Sequence, residues 1–341
     1  MRVLKWLAVL VLALFVAVWF GASHLLRRGA EAFLADQAAQ GMVAETTALS
    51  VGGFPGWLAV ETEGLRLGDP RSGTLWEAPS LQVSVPAWRP WEVTAELPAS
   101  QSLTLPGQEV GLVSQGLTAS VRVAPAVTAP LQEITLGGAA LRATSTLGWA
   151  VGADDLRARL LVSDGDPRAY ALTVTAAGIA PPEALMQALA RVSLPESPAP
   201  DLPARVEAVQ LDLTLHLTRP LDLNAAGAEP QLEGLELTGL TAGWGPLQIA
   251  AEGRLQADAA GMAEGRIEIR ITNWDRLPPL LVASGALKPE IAPTIANMLR
   301  AMAADSGDPA LLKVPLTMGE GRMSLGPLPL GPAPQFRGAA G

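Results

Sequence analysis

A chain of 341 residues with 49% hydrophobic and 17% charged side chains can hold one large or two ordinary domains and is too apolar to be disordered. The net charge is −9 and the only lysines are Lys5, Lys288 and Lys313, so the surface repels polyanions and nucleic acid is not an expected partner. With no cysteine there are no disulfides, no thiolate catalysis and no cysteine-based zinc site.

The first 28 residues hold Arg2, Lys5, Arg27 and Arg28 and no acid. Between these flanks Leu7 to Ala22 is apolar throughout. A bilayer core of about 30 Å needs about 20 apolar residues, which the run reaches from Val3 if Lys5 snorkels to the headgroups. It exceeds the roughly 7–15 apolar residues of a signal peptide. We read it as a retained transmembrane anchor that includes Leu7, Val11, Phe15, Trp19 and Phe20. A signal cleaved near Gly21-Ala22-Ser23 is the alternative. Positive charge on both flanks gives little direction, but a large body translocates largely regardless of charge. The expectation is a single-pass inner-membrane protein with its N-terminus inside and its body in the periplasm.

Residues 29–46 read as a juxtamembrane helix or spacer. From Thr47 short segments of period-two alternation follow, punctuated by Gly and Pro, and residues 47–193 form a first β-rich half. Its segments include Leu58–Thr62, Gly64–Gly68, Leu81–Val85, Leu117–Val123, Leu156–Val162 and Tyr170–Thr175. The half closes with a helix over Pro181–Val192, with Pro suiting the first turn. Residues 194–204 are a stiff proline-rich connector and the best internal boundary. Residues 205–330 form a second β-rich half. In it Val209, Leu211, Leu213, Leu215 and Leu217 alternate with polar residues, as do Ile267, Ile269 and Ile271. Trp274–Leu287 and Glu290–Ala304 read as two helices, and residues 331–341 as a frayed tail. The fold class is mainly β with a few helices (α+β), in amphipathic antiparallel sheets forming a sandwich or an open curved trough.

The segments GWGPLQIAAEGRLQADAAGMAEGRIEIRITNWDRL, between Ala242 and Gly285, and LTMGEGRMSLGPLPLGPAP, from Leu316 to Pro334, resemble the DUF2125 family of uncharacterised proteobacterial proteins. Gly52-Gly53-Phe54-Pro55 is similar to that family's N-terminal block. The order of elements also resembles the looser AsmA-like envelope proteins, membrane-anchored and β-rich, some of them linked to lipid traffic. These resemblances imply anchoring and an envelope location. They imply no catalytic residue.

The catalytic inventory is thin. His24 abuts the apolar run and reads as interfacial, and His216 as a solvated strand residue. There is no HExxH and no GxSxG. The pairs Asp154-Asp155, Asp164/Asp166 and Asp305/Asp308 lie beside Gly or Pro and read as turn residues. Ser163–Asp166 lacks the later ligands of a calcium loop. No catalytic, cofactor or metal site is expected. Nine tryptophans stand beside one tyrosine, and Trp88 and Trp91 bracket Arg89-Pro90. They are packing residues, or indoles at a lipid or ligand boundary.

An amphipathic sheet with few helices must cover its apolar face somehow. If it stays open, Leu211, Leu213, Leu215, Ile267, Ile269 and Ile271 would line a groove for an acyl chain. The expected function is therefore non-enzymatic: lipid binding, lipid transfer or envelope assembly, with membrane lipid and an envelope protein as partners. An anchored scaffold without small ligand is the alternative, and an exported hydrolase the weakest reading.

Overall fold

The computed structural model describes residues 21, 23–192, 194, 201–223, 230–305 and 307–336. Among them the chain is mainly β, with seventeen strands, four α-helices and antiparallel pairing throughout. The expected anchor residues Leu7, Val11, Phe15, Trp19 and Phe20 lie outside the described residues. No helix among the described residues is long and apolar enough to cross a membrane. Two compact units are present, Met1–Val123 with Ala143–Gly148 and Ala124–Arg142 with Trp149–Gly341.

The first unit opens with helix α1, residues 23–39. Strands β1 (Val43–Glu45) and β2 (Ala48–Gly52) follow each other along one edge of β3 (Trp57–Asp69). β4 (Thr74–Pro86) pairs with the other edge. β5 (Glu92–Glu96) and β6 (Ser100–Leu105) then share the space between β4 and β7 (Gln108–Val123). Each break in the short strands faces a left-handed glycine in the long one. Gly64 (φ 59°) faces the β1–β2 break, where a Cβ would meet Thr47 Oγ1 at 2.5 Å, and Gly116 (φ 59°) faces the β5–β6 break. β3 is for this reason one strand of 13 residues, although its alternation reads as two pieces. The last residues of β8 (Leu131–Ser145) lie along β7, with the Thr146 N–H donating to Glu109 O at 2.9 Å.

The second unit is a meander. β9 (Ala150–Ser163), β10 (Asp166–Ile179), β11 (Val206–Leu217), β12 (Leu232–Trp244), β13 (Leu247–Ala257), β14 (Ala263–Thr272), β15 (Leu311–Gly319), β16 (Arg322–Leu325) and β17 (Leu328–Pro332) each pair with the next. Because β10 pairs with β11, the proline-rich connector joins two neighbours of one sheet. Helix α2 (Glu183–Arg191) sits in that connection. A 3-10 turn (Trp274–Arg276), α3 (Leu277–Ala283) and α4 (Ala292–Asp305) fill the link from β14 to β15. α4 packs on β15, α3 on α4 and α2 on α3.

Alternation becomes packing in two buried clusters. Trp274, Leu299, Ala303, Leu312 and Val314 join α4 to β15, and the Trp274 indole N–H donates to Pro309 O at 2.9 Å. A fully buried leucine such as Leu312 stabilises by about 1.5–3 kcal/mol. The second cluster is Leu255, Ala263, Met318 and Ala333. It docks the C-terminal segment, which the sequence presents as frayed: Ala263 N–H donates to Pro334 O and Phe336 N–H to Gly261 O, both at 2.8 Å. The turn that receives it is Asp258-Ala259-Ala260-Gly261, where Asp258 Oδ1 accepts the Met262 N–H at 2.8 Å.

Candidate functional site

Residues opposite one another in paired strands point to the same face of a sheet. In the second unit the register therefore assembles apolar rows across many strands. One row runs Ala158, Val174, Leu211, Leu240, Ala251, Ile269, Val314. The next runs Leu160, Leu172, Leu213, Leu237, Gly253, Ile267, Leu316. A third joins Val162, Tyr170, Leu215, Leu235 and Leu255, and a fourth carries Ile249, Ile271 and Leu312. A bulge at Thr238 keeps Leu237 and Leu240 on this face.

The six residues expected to line a groove are thus on one face. The fold covers them unequally. Ile271 packs on the cluster around Trp274, and Ile267 on the cluster around Met318. Leu211, Leu213, Leu215 and Ile269 belong to neither buried cluster and are half-buried. The opposite face is polar, with Arg254 bonded to Glu236 at 2.7 Å and Arg270 paired with Glu252. His216 lies on that polar side over Gly234, near Glu236 and Arg254.

One row beyond Leu156 and Ala176, the same register brings Asp154 beside Gly178, and then Gly152 beside Ala180. A cavity of about 350 Å³ opens there, lined by Leu141, Arg142, Gly152, Asp154, Glu183 and Arg205 among others. Arg205 is paired with Asp154 and donates from Nη1 to Gly178 O at 3.1 Å. Glu183 Oε1 accepts from Gln187 Nε2 at 2.9 Å. Arg142 is exposed and has no ion-pair partner among the described residues. Gly178 is held at φ 59°, and a Cβ there would lie 2.1 Å from Asp154 Oδ2.

This cavity escapes sequence reading because its residues come from distant segments; Arg205 is 51 positions from Asp154. It also corrects the reading of Asp154-Asp155 as turn residues. Both lie within strand β9, and Asp155 pairs with Arg157 at 3.1 Å. The other acidic pairs do include turn residues: Asp166 Oδ1 accepts the Arg168 N–H at 2.9 Å and Asp308 Oδ1 the Ala310 N–H at 2.9 Å. The Arg168 N–H lowers the pKa of Asp166. Among the described residues no three His, Asp or Glu side chains gather as metal ligands.

The single tyrosine lies in the apolar rows. Tyr170 is 1% exposed, and its hydroxyl accepts the Leu221 N–H at 2.8 Å. Burial raises its pKa, with the Leu221 bond opposing. The tryptophans divide. Trp244 and Trp274 are buried with their N–H groups bonded to Pro203 O at 2.7 Å and Pro309 O at 2.9 Å. Trp57 and Trp88 meet edge to face at 5.7 Å and are 45% and 61% exposed, beside Phe54 at 47%.

The profile of the family described as an uncharacterized protein conserved in bacteria, DUF2125, matches residues 19–334. No curated protein and no solved structure matches the chain.

Proposed function

Since the chain belongs to the DUF2125 family, we propose that it is a membrane-anchored periplasmic protein that binds or passes lipid and does no chemistry on it. The observation that carries this reading is the half-buried leucine face. Leu211, Leu213 and Leu215 continue rows whose far ends are sealed by α4 and by the C-terminal segment, yet they lie outside both clusters. An apolar strip of this kind favours an acyl chain over water at about 25 cal/mol per Å² of surface covered. The apolar run from Val3 to Ala22 supports the anchor and the inner-membrane location, because with Lys5 snorkelling to the headgroups it reaches the length of a bilayer span. The test is native mass spectrometry of the detergent-purified full chain after passage over bacterial lipid extract. Bound acyl lipid is expected, and Leu213→Asp should remove it. A wild-type chain that stays lipid-free under these conditions would sink the reading.

A second reading is an anchored interaction module with an envelope protein as partner. The exposed Phe54, Trp57 and Trp88 favour it, because aromatic clusters at the surface are typical of interface hot spots. Crosslinking in cells should then return one protein partner, lost when Trp57 and Trp88 are replaced by serine.

A further inference from the structure

We propose that the cavity between Arg142, Asp154, Glu183 and Arg205 receives a zwitterionic head group, a phosphate joined to an ammonium, of a lipid whose acyl chain lies along the leucine rows. This rests on the lipid-binding reading and names the class of lipid.

Position supports it first. Strand residues two apart are about 6.6 Å apart along one face. The cavity begins one such step past Leu156 and Ala176, so the apolar rows lead to a pocket with a largely apolar wall and four charged side chains among its lining residues. An amphiphile has that same order of parts. Charge supports it second. The lining carries two arginines and two carboxylates. Arg205 and Asp154 neutralise each other, and that pair is held in place by Gly178 O. What is left is Arg142, without an ion-pair partner, and Glu183, bonded only to a neutral glutamine among the described residues. Arg142 offers the fork geometry that suits a phosphate. Glu183 offers an acceptor for an ammonium. A purely anionic head group would satisfy Arg142 and be repelled by Glu183, so a zwitterion fits the pair better. A volume of about 350 Å³ suits a head group and its glycerol, and not two acyl chains.

The test presents the detergent-purified full chain with vesicles of phosphatidylethanolamine and phosphatidylglycerol mixed in equal amounts with matched acyl chains. Captured lipid is counted by mass spectrometry. The wild type should enrich phosphatidylethanolamine at least about threefold, the preference expected of one extra charge-assisted hydrogen bond after solvent losses. Arg142→Glu should abolish the enrichment, Arg142→Lys should keep part of it, and Glu183→Lys should reverse it toward phosphatidylglycerol. Arg142 and Glu183 are exposed and neither has an ion-pair partner among the described residues, so these variants should fold, and far-ultraviolet circular dichroism checks that they do.

If the wild type takes both lipids equally and Arg142→Glu changes nothing, the head-group assignment is overturned while lipid binding stands. If the wild type takes no lipid, both readings fail together. Soluble phosphoethanolamine should not displace the lipid at equal concentration. Displacement at equal concentration would make the cavity a site for a free small molecule and overturn the lipid assignment.

Discussion

Gly178 is a position where a single methyl group has nowhere to go. Its φ of 59° disfavours any L side chain, and its Cβ would overlap the Asp154 carboxylate. Gly178→Ala should cost about 1–3 kcal/mol, read from urea unfolding of the second unit. Asp154→Ala in the same background should recover the part due to the clash and leave the part due to φ. Tyr170 gives a second prediction. Its hydroxyl pKa is raised from 10.0 by burial, so the folded state prefers the neutral phenol. The stability it contributes is complete below about pH 10 and falls as pH rises through the higher folded value. Tyr170→Phe should flatten that alkaline slope in thermal melts. It should also lower stability at neutral pH by about 1 kcal/mol, because the Leu221 N–H loses its acceptor. Neither effect is visible in the sequence. Gly178 is one of 34 glycines, and Tyr170, although the single tyrosine, has nothing in its local sequence that shows what lies over it.

The elements show where the sequence speaks and where it falls silent. Val209 to Leu217 alternates without a break, so both its strand and its buried face are legible. β3 and β7 are less so, because Gly64 and Gly116 interrupt the period where a partner strand breaks. The apolar-face residues of β11 and β14 were nameable, since each is a clean period-two run. Their unequal cover was not, since α4 and the C-terminal segment reach the sheet from far along the chain. The cavity was invisible, because Arg142, Asp154, Glu183 and Arg205 have no common spacing. The unequal cover carries its own prediction. Leu299→Ala, inside the α4 cluster, should cost about 2–5 kcal/mol in urea unfolding. Leu213→Ala should cost clearly less, because Leu213 is only half-buried and lies outside both clusters. Ending the chain at Pro332 should remove Ala333 and Phe336 from the second cluster. Hydrogen exchange at Gly261–Ala263 should then accelerate, since the Ala263 N–H loses its acceptor on Pro334.

For the whole molecule the decisive contrast is between an acidic body and an apolar, basic-flanked start. The four basic residues in the first 28 leave 20 basic against 33 acidic side chains elsewhere. Such a body has no electrostatic attraction to an anionic bilayer, so the proposed membrane location rests on the N-terminal apolar run, Leu7 to Ala22, alone. A chain beginning at Gly29 behind a cleavable export signal should move from the membrane to the soluble fraction. The full chain should stay in the pellet through a high-salt wash. Release of the full chain by salt would argue for surface charge as the tether.

The unbroken succession from β9 to β17 has a consequence for how the molecule comes into being. A strand in that series pairs only with the strand made before it and the strand made after. Each loop that closes is short on the scale of the chain, apart from the two that hold helices, so the entropy lost per step stays small. A polypeptide threaded N-terminus first through a narrow pore could add hairpin to hairpin as it emerged. No strand would wait exposed for a partner still on the far side. Only the final seal, made by Ala333 and Phe336, has to wait until β17 has been laid down.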